Sequence, residues 1–285
     1  MIKTLVVNGC SWSEGHLMHW DQQVEEEIKP LGYRVAILNK LAVYLEGENG
    51  EKIGVEYPYR YIYDRYNFGS HVKKYLKAQE YINLASGGAG NDRIVRTTLD
   101  YIKRMKPADY NKTFFLIGWS LPERQELFVN DKKGDKRWVR FNPTQEFSSL
   151  EGDIEAAFTK QLDKYWKQYV THVHSQQAGV MHYFKNIFLL KNTLENLGIK
   201  YYFFNSFPMF WDSDYDYAIF DNDVAWYCEQ SSTSPLLEFH DNFFDFIQDC
   251  SNTETVKLED GHPNALGHKL WATHLIQDMR KRGII

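Results

Sequence analysis

Two short stretches, one near each end of the chain, carry side chains suited to acyl transfer. The first, Gly9-Cys10-Ser11-Trp12-Ser13-Glu14-Gly15, presents a hydroxyl directly after an apolar run. The second, Glu259-Asp260-Gly261-His262-Pro263-Asn264-Ala265-Leu266-Gly267-His268, sets carboxylates two and three residues ahead of a histidine. A serine hydroxyl is a weak nucleophile until a general base takes its proton, and an imidazole does this once a carboxylate fixes its tautomer. Between them lie Asn83-Leu84-Ala85-Ser86-Gly87-Gly88 and Gly118-Trp119-Ser120, which can offer donors to an oxyanion. Nucleophile, base, orienting acid and donors make the inventory of an acyl-transfer hydrolase.

Each residue also has a plainer reading. Ser11 suits a helix N-cap, and Ser13 a cap or a loop hydrogen bond. Gly87 and Gly88 suit a turn that needs positive φ. His262 alone would be a loop histidine, and His268 a helix-face residue beside Trp271. Taken together the residues assign Ser11 as nucleophile, His262 as base and Asp260 as the orienting acid. Side chains two apart on an extended segment point the same way, which favours Asp260 over Glu259. Of the two glycines, Gly88 is the one whose N–H is expected to point at the oxyanion. A rival reading takes Gly118-Trp119-Ser120-Leu121-Pro122 as a strand–turn–helix nucleophile elbow, with Pro122 in place of its second glycine.

These groups need a frame that brings them to one edge. Thr4–Asn8 reads as a buried strand, Tyr81–Ala85 as a second, Thr113–Ile117 as a third ended by Gly118, and Tyr201–Phe204 as a fourth. Ile94, Val95, Leu99, Ile102 and Met105 recur at helical spacing, with Asn91 or Asp92 as cap and Pro107 beyond the end. Further helices run through Ile187–Leu197, stopped by Gly198, and from about Ala265 to Arg280. Strands alternating with helices predict a parallel sheet covered on both faces, whose carboxyl edge gathers function. A charged turn, Asp131-Lys132-Lys133-Gly134-Asp135-Lys136, predicts a β-hairpin between residues 127 and 141. With no repeat or linker, residues 1–285 read as a single domain with aromatic-rich insertions near 16–80, 121–180 and 208–250.

At this point the chain resembles the SGNH (GDSL-type) hydrolase family. Gly9, Ser11 and Gly15 match its first block with Cys10 in place of Asp, Asn83 to Gly88 look like its second, and His262-Pro263 with Gly267 like its last. The resemblance implies a flavodoxin-like three-layer α/β/α sandwich and a serine esterase, lipase or carbohydrate O-deacetylase working through a Ser-His-Asp triad. In the third block Ser120 stands where the family has an oxyanion-hole Asn, so the resemblance implies an oxyanion hole made by the Ser11 and Gly88 N–H groups, helped by Ser120 or by the Asn91 amide. The Gly-Cys-Ser-Trp-Ser start is similar to sequences carried by tailed phages, which would fit a sugar-linked acetyl ester as substrate. Two alternatives keep the scaffold: a non-catalytic carbohydrate-binding or virion structural protein, and an acyltransferase.

Composition narrows the classes. The net charge of −5 argues against a nucleic-acid binder, which carries a basic face. No run reaches the roughly 20 apolar residues of a membrane span, and Met1–Val7 lacks the marks of a signal peptide. A cytoplasmic or virion-associated protein acting on a small or glycan ester is expected. Cys10, Cys228 and Cys250 are too scattered for a disulfide framework or a zinc knuckle. His172-x-His174 reads as part of a helix, where i and i+2 diverge, and Asp212-Ser213-Asp214-Tyr215-Asp216 as an acidic loop in place of a calcium loop. No metal or cofactor is expected. Phe 18, Trp 8 and Tyr 19 make 16% of the chain aromatic, which serves either core packing or stacking on a ligand ring.

Overall fold

Along the chain, the elements are β1 (Thr4–Asn8), α1 (Ser11–Glu14), β2 (Tyr33–Leu38), β3 (Ala42–Gly47), β4 (Lys52–Ile53), α2 (Phe68–Leu76), β5 (Glu80–Asn83) and α3 (Asn91–Arg104). They continue with β6 (Thr113–Trp119), β7 (Gln125–Asn130), β8 (Lys136–Phe141), α4 (Ala156–His172), α5 (Gln176–Asn196), β9 (Lys200–Asn205), α6 (Phe243–Asp249) and α7 (Ala265–Lys281). This computed structural model describes residues 2–15, 33–38, 42–47, 52–53, 64–130, 136–141, 156–173, 175–208, 242–250, 256–258 and 261–285.

The four expected strands form one parallel sheet in the order β5-β1-β6-β9. Every residue of β1 and β6 is buried, as continuous apolar runs between two helical layers require. The chain steps from β1 to β5 in one direction and from β5 back across β1 to β6 in the other. Right-handed crossovers therefore place α2 and α3 on opposite faces. Helix α3 packs against α5, whereas α2 and α6 pack against α7. The fold is the expected three-layer α/β/α sandwich, and its strand order reverses at β1, where such sheets bind ligands.

Strand ends differ from the sequence reading in two places. Strand β5 stops at Asn83 rather than Ala85, because Asn83 Oδ1 accepts the Ala85 N–H at 3.1 Å and bends the chain into a side-chain turn. Strand β6 runs through Gly118 to Trp119, which pairs with Asn205. Gly118 is there for close approach: a Cβ on it would lie 2.4 Å from Ser13 Oγ and 2.6 Å from Phe204 Cζ.

The expected insertion near 16–80 gives way by Phe68 to a core helix. Asn67 caps α2, its Oδ1 accepting the Ser70 N–H at 3.0 Å, and Phe68 and Val72 are fully buried. The insertion near 208–250 likewise closes before Phe243, whose ring stacks on Trp271 of α7 at 4.8 Å. Strands β2, β3 and β4 form an antiparallel sheet of their own. The predicted hairpin is β7–β8, paired from Gln125–Phe141 to Asn130–Lys136. Its first strand is fixed to α3 by Arg96, which donates to the Glu126 carboxylate from Nη2 at 2.8 and 3.0 Å and from Nε at 3.1 Å. Burial pushes the Glu126 carboxyl above the usual carboxylate range against the opposing pull of Arg96 and Arg93.

Candidate active site

Strand β1 ends in a polar pin. The buried Asn8 amide nitrogen lies within 2.9 Å of Ile94 O and 2.8 Å of Thr97 Oγ1 and Thr98 Oγ1, and Asn8 Oδ1 accepts the Gly9 N–H. The chain then closes into the single turn α1, where the Glu14 and Gly15 N–H groups donate to Cys10 O and Ser11 O at 2.9 and 3.1 Å. Gly15 ends it at φ 85°, so the glycine four places after the serine is a left-handed helix stop. Cys10 holds the cap position with no side-chain cap bond, and Ser11 is the first helical residue. The Ser11 hydroxyl is therefore not the N-cap of the plainer reading. The Ser11 backbone N–H is one of the first-turn donors without an intrahelical acceptor.

The second stretch arrives on a small hairpin. Leu258 N–H donates to His262 O at 2.7 Å, Asn264 N–H to Val256 O at 3.0 Å, and Lys257 bridges Pro263. Asn264 then caps α7 through Gly267 N–H at 2.9 Å, while Gly267 leaves room for Val256 O, which a Cβ would meet at 2.3 Å. The strap is thus locked to the first turn of α7. It carries His262 to the carboxyl edge of the sheet, where His262 Nε2 lies 3.0 Å from Ser11 Oγ. Two groups 251 residues apart in sequence meet at hydrogen-bond distance.

Asp260 and Glu259 lie outside the described residues. Gly261, directly before His262, is not extended: it has φ 87°, and its N–H donates to Leu258 O at 2.9 Å. Alternation along a strand therefore does not decide between the two carboxylates.

The structure separates the four expected oxyanion donors. Gly87 and Gly88 form a turn closed by Ala89 N–H to Ser86 O at 3.1 Å, with Gly88 at φ 66°. Gly87 N–H is taken by the Glu14 carboxylate at 2.6 Å, and Ser86 N–H by Gly9 O at 3.1 Å. Gly88 N–H has no acceptor among the described residues. Asn91 does not supply an amide to the site. Its Nδ2 donates to Ser120 O and Leu121 O at 3.2 and 3.1 Å, and its Oδ1 accepts the Ser120 N–H at 2.9 Å. Nor does it cap α3, because Gly90 occupies that position. Asn91 braces the loop after β6, which occupies its polar atoms.

Ser120 is 3% exposed, and its Oγ accepts a hydrogen bond from Arg124 Nη1 at 3.3 Å. The nucleophile elbow is not formed here. After Ser120 the chain turns, with Arg124 N–H on Leu121 O at 3.2 Å, and enters a strand instead of a helix. Ser13 is neither cap nor loop donor. Its hydroxyl is buried between Gly9 and Gly118 with no partner among the described residues.

Aromatic rings wall the site. Trp12 lies 5.4 Å from Phe207, 5.5 Å from Phe244 and 6.0 Å from the His262 ring. His268 is fully buried against Phe68 and Phe243, and it is His274, six residues further along α7, that stacks on Trp271. His268 Nδ1 accepts the Phe68 N–H at 3.3 Å, so its imidazole is neutral, and burial pulls its pKa down to about 3, with His71 and His262 adding to the effect. Buried Cys10 lies within the core, as a structural thiol does.

Residues that sequence reasoning passed over are Glu14, Asn8 and Arg124. Their types are ordinary, and only their partners mark them. The acidic loop at 212–216, His174 and Cys228 lie outside the described residues. Among the described residues, no three His, Cys, Asp or Glu side chains are grouped as metal ligands, and no helix is long and apolar enough to cross a membrane. A cavity of about 550 Å³ opens at the opposite end of the strands, lined by Lys3, Thr4, Glu80, Tyr101, Arg104 and Thr113, away from Ser11.

A family model described as "Family of unknown function (DUF6071)" matches residues 56–282. No curated protein matches the chain by sequence. One similar solved structure is that of a carbohydrate esterase whose active site displays divergent catalytic and non-catalytic binding functions. It is 14% identical, with 99% of this chain and 70% of that chain covered, at a TM-score of 0.38.

Proposed function

We propose that this chain, which belongs to the DUF6071 family of unknown function, is a serine ester hydrolase of the SGNH type. The observation that carries the reading is the 3.0 Å contact between Ser11 Oγ and His262 Nε2 at the edge where the strand order reverses.

Ser11 Oγ attacks the ester carbonyl carbon as its proton passes to His262 Nε2. The C=O electron pair moves onto oxygen, and the Ser11 and Gly88 N–H groups, with the Ser120 hydroxyl, hold that oxyanion. Collapse breaks the ester C–O bond, and His262 returns the proton to the departing alcohol. Water, deprotonated by His262, then cleaves the acyl-Ser11 ester and releases the acid. Asp260, or Glu259 one residue earlier, orients the imidazole and stabilises its charged form. A sugar-linked acetyl ester is the substrate proposed: buried Trp12 backs His262, and the half-buried Phe244 ring packed on Trp12 keeps surface against which a pyranose can lie.

p-Nitrophenyl acetate hydrolysis by the wild type, Ser11→Ala, His262→Ala and Ser120→Ala tests the reading. Turnover should fall by roughly 10³-fold or more in the first two variants, since the pair acts as one unit. Asp260→Asn and Glu259→Gln, assayed in parallel, identify the acid as the one whose loss is severe. Wild-type rates in Ser11→Ala would refute the hydrolase, and glycan binding that survives this change would favour a binding protein on the same scaffold. Accumulation of acylated sugar in place of free acid would assign a transferase.

A further inference from the structure

Ser120 stands where an amide side chain would be the stronger and better aimed oxyanion donor. What surrounds its hydroxyl compensates for that difference. A serine hydroxyl carries one hydrogen to donate and two lone pairs to accept with, whereas a guanidinium only donates. In the 3.3 Å contact with Arg124 Nη1, Ser120 Oγ is therefore the acceptor. Its one O–H is left over, and no acceptor for it exists among the described residues, although Ser120 is 3% exposed.

The position of that O–H follows from the sheet. Asn8 of β1 is paired with Ile117 of β6, so Ser11 and Ser120 each lie three residues beyond a paired position on adjacent strands. Both belong to the same carboxyl edge. Arg124 is held there as well. Gly90 packs on its carbonyl, which a Cβ would meet at 2.4 Å, and its guanidinium lies 5.2 Å from the centre of the Phe207 ring. Phe207 in turn abuts Trp12, the residue after Ser11. Arg96 and Arg282 are paired with the carboxylates of Glu126 and Asp278. Among the described residues Arg124 is paired with a hydroxyl and a ring, and with no carboxylate.

We infer that Arg124 is a positioning residue that aims and polarises the Ser120 hydroxyl as an oxyanion donor, its charge acting through Ser120. A charge-assisted bond into Oγ occupies one of its lone pairs, which fixes the hydroxyl and strengthens the hydrogen bond its O–H can donate by polarising it. The two-residue unit performs the work of the missing amide: fixed direction from the guanidinium, contact from the hydroxyl. This inference rests on the hydrolase reading.

A double-mutant cycle on p-nitrophenyl acetate hydrolysis tests it, with kcat, KM and melting temperature measured for the wild type, Arg124→Met, Ser120→Ala and the double variant. Arg124→Met should lower kcat about 10- to 100-fold, within the range for loss of one oxyanion donor, at unchanged KM and melting temperature. Ser120→Ala should do the same, and the double variant should be no slower than Ser120→Ala alone. Arg124→Lys should recover part of kcat, and it replaces Arg124→Met in the cycle if that variant does not fold. Multiplicative losses in the double variant, or wild-type kcat in Arg124→Met, overturn the inference while leaving the hydrolase intact. Absence of Ser11-dependent turnover in the wild type overturns both.

Discussion

Replacing Gly118 by alanine puts a methyl carbon 2.4 Å from Ser13 Oγ and 2.6 Å from Phe204 Cζ. Neither neighbour yields easily. Phe204 is fully buried between Phe68 and Trp271 at 5.5 and 5.6 Å, and Ser13 is already pressed on Gly9, whose own Cβ position lies 2.2 Å from the same oxygen. Overpacking of this kind costs about 1–3 kcal/mol. Alanine recovers about 0.4–1 kcal/mol by restricting the unfolded chain. The net expectation is a destabilisation of about 1–2 kcal/mol, read from urea unfolding followed by tryptophan fluorescence. Relief requires α1 to lift, and Ser11 sits two residues before Ser13 on that turn. Ester turnover should therefore fall by roughly tenfold or more as the 3.0 Å approach to His262 is lost. Ser13→Ala removes the oxygen that clashes and also a buried hydroxyl without a partner among the described residues, so alone it should stabilise the protein. Combined with Gly118→Ala it should recover at least about 0.5 kcal/mol relative to additivity, with the Phe204 contact remaining. A Gly118→Ala protein with wild-type stability and turnover, or strict additivity with Ser13→Ala, would refute the close-approach reasoning.

Removing the Asn8 amide by Asn8→Ala takes a buried donor from Ile94 O, Thr97 and Thr98 and leaves Gly9 N–H without its acceptor, so urea unfolding should show a loss of about 2–3 kcal/mol. Glu14→Ala frees Gly87 N–H and the turn that carries Gly88. Its kcat should drop roughly 10- to 100-fold, whereas Glu14→Gln, which keeps an oxygen acceptor, should lose less. His268 is neutral in the fold with its pKa pulled down to about 3, so below about pH 6.5 the unfolded chain binds a proton that the fold does not. Stability should fall on acidification by up to about 1.4 kcal/mol per pH unit, levelling near pH 3. His268→Asn, which keeps an acceptor for Phe68 N–H, should flatten that part of the pH–stability curve.

Local pattern made much of this legible. Short apolar runs alternating with helical segments are the parallel strands of the central sheet, so those four strands and their order with the helices could be read directly, whereas comparable runs in β2, β3 and β7 pair antiparallel. Motif spacing made Ser11 and His262 readable because both blocks are short and self-contained. Glycines were harder, since one residue type serves several ends. Gly15, read only as part of a motif, is a left-handed helix stop, and Gly118, expected to end its strand, continues it and makes room for Ser13. Asn91 reads as a free amide beside a glycine loop until its contacts with Ser120 and Leu121 are seen.

The sequence by itself determined the layers, the sheet edge that carries the two motif blocks, and the identity of a hydroxyl and an imidazole near opposite ends of the chain. It did so because side-chain periodicity and turn chemistry act over a few residues. Tertiary structure alone decided which polar atoms remain available: Glu14 takes Gly87 and leaves Gly88, Asn91 is occupied, and Arg124 reaches Ser120. Hydrogen-bond partners are set by distances of about 3 Å between segments remote in sequence, and no local pattern encodes which donor meets which acceptor.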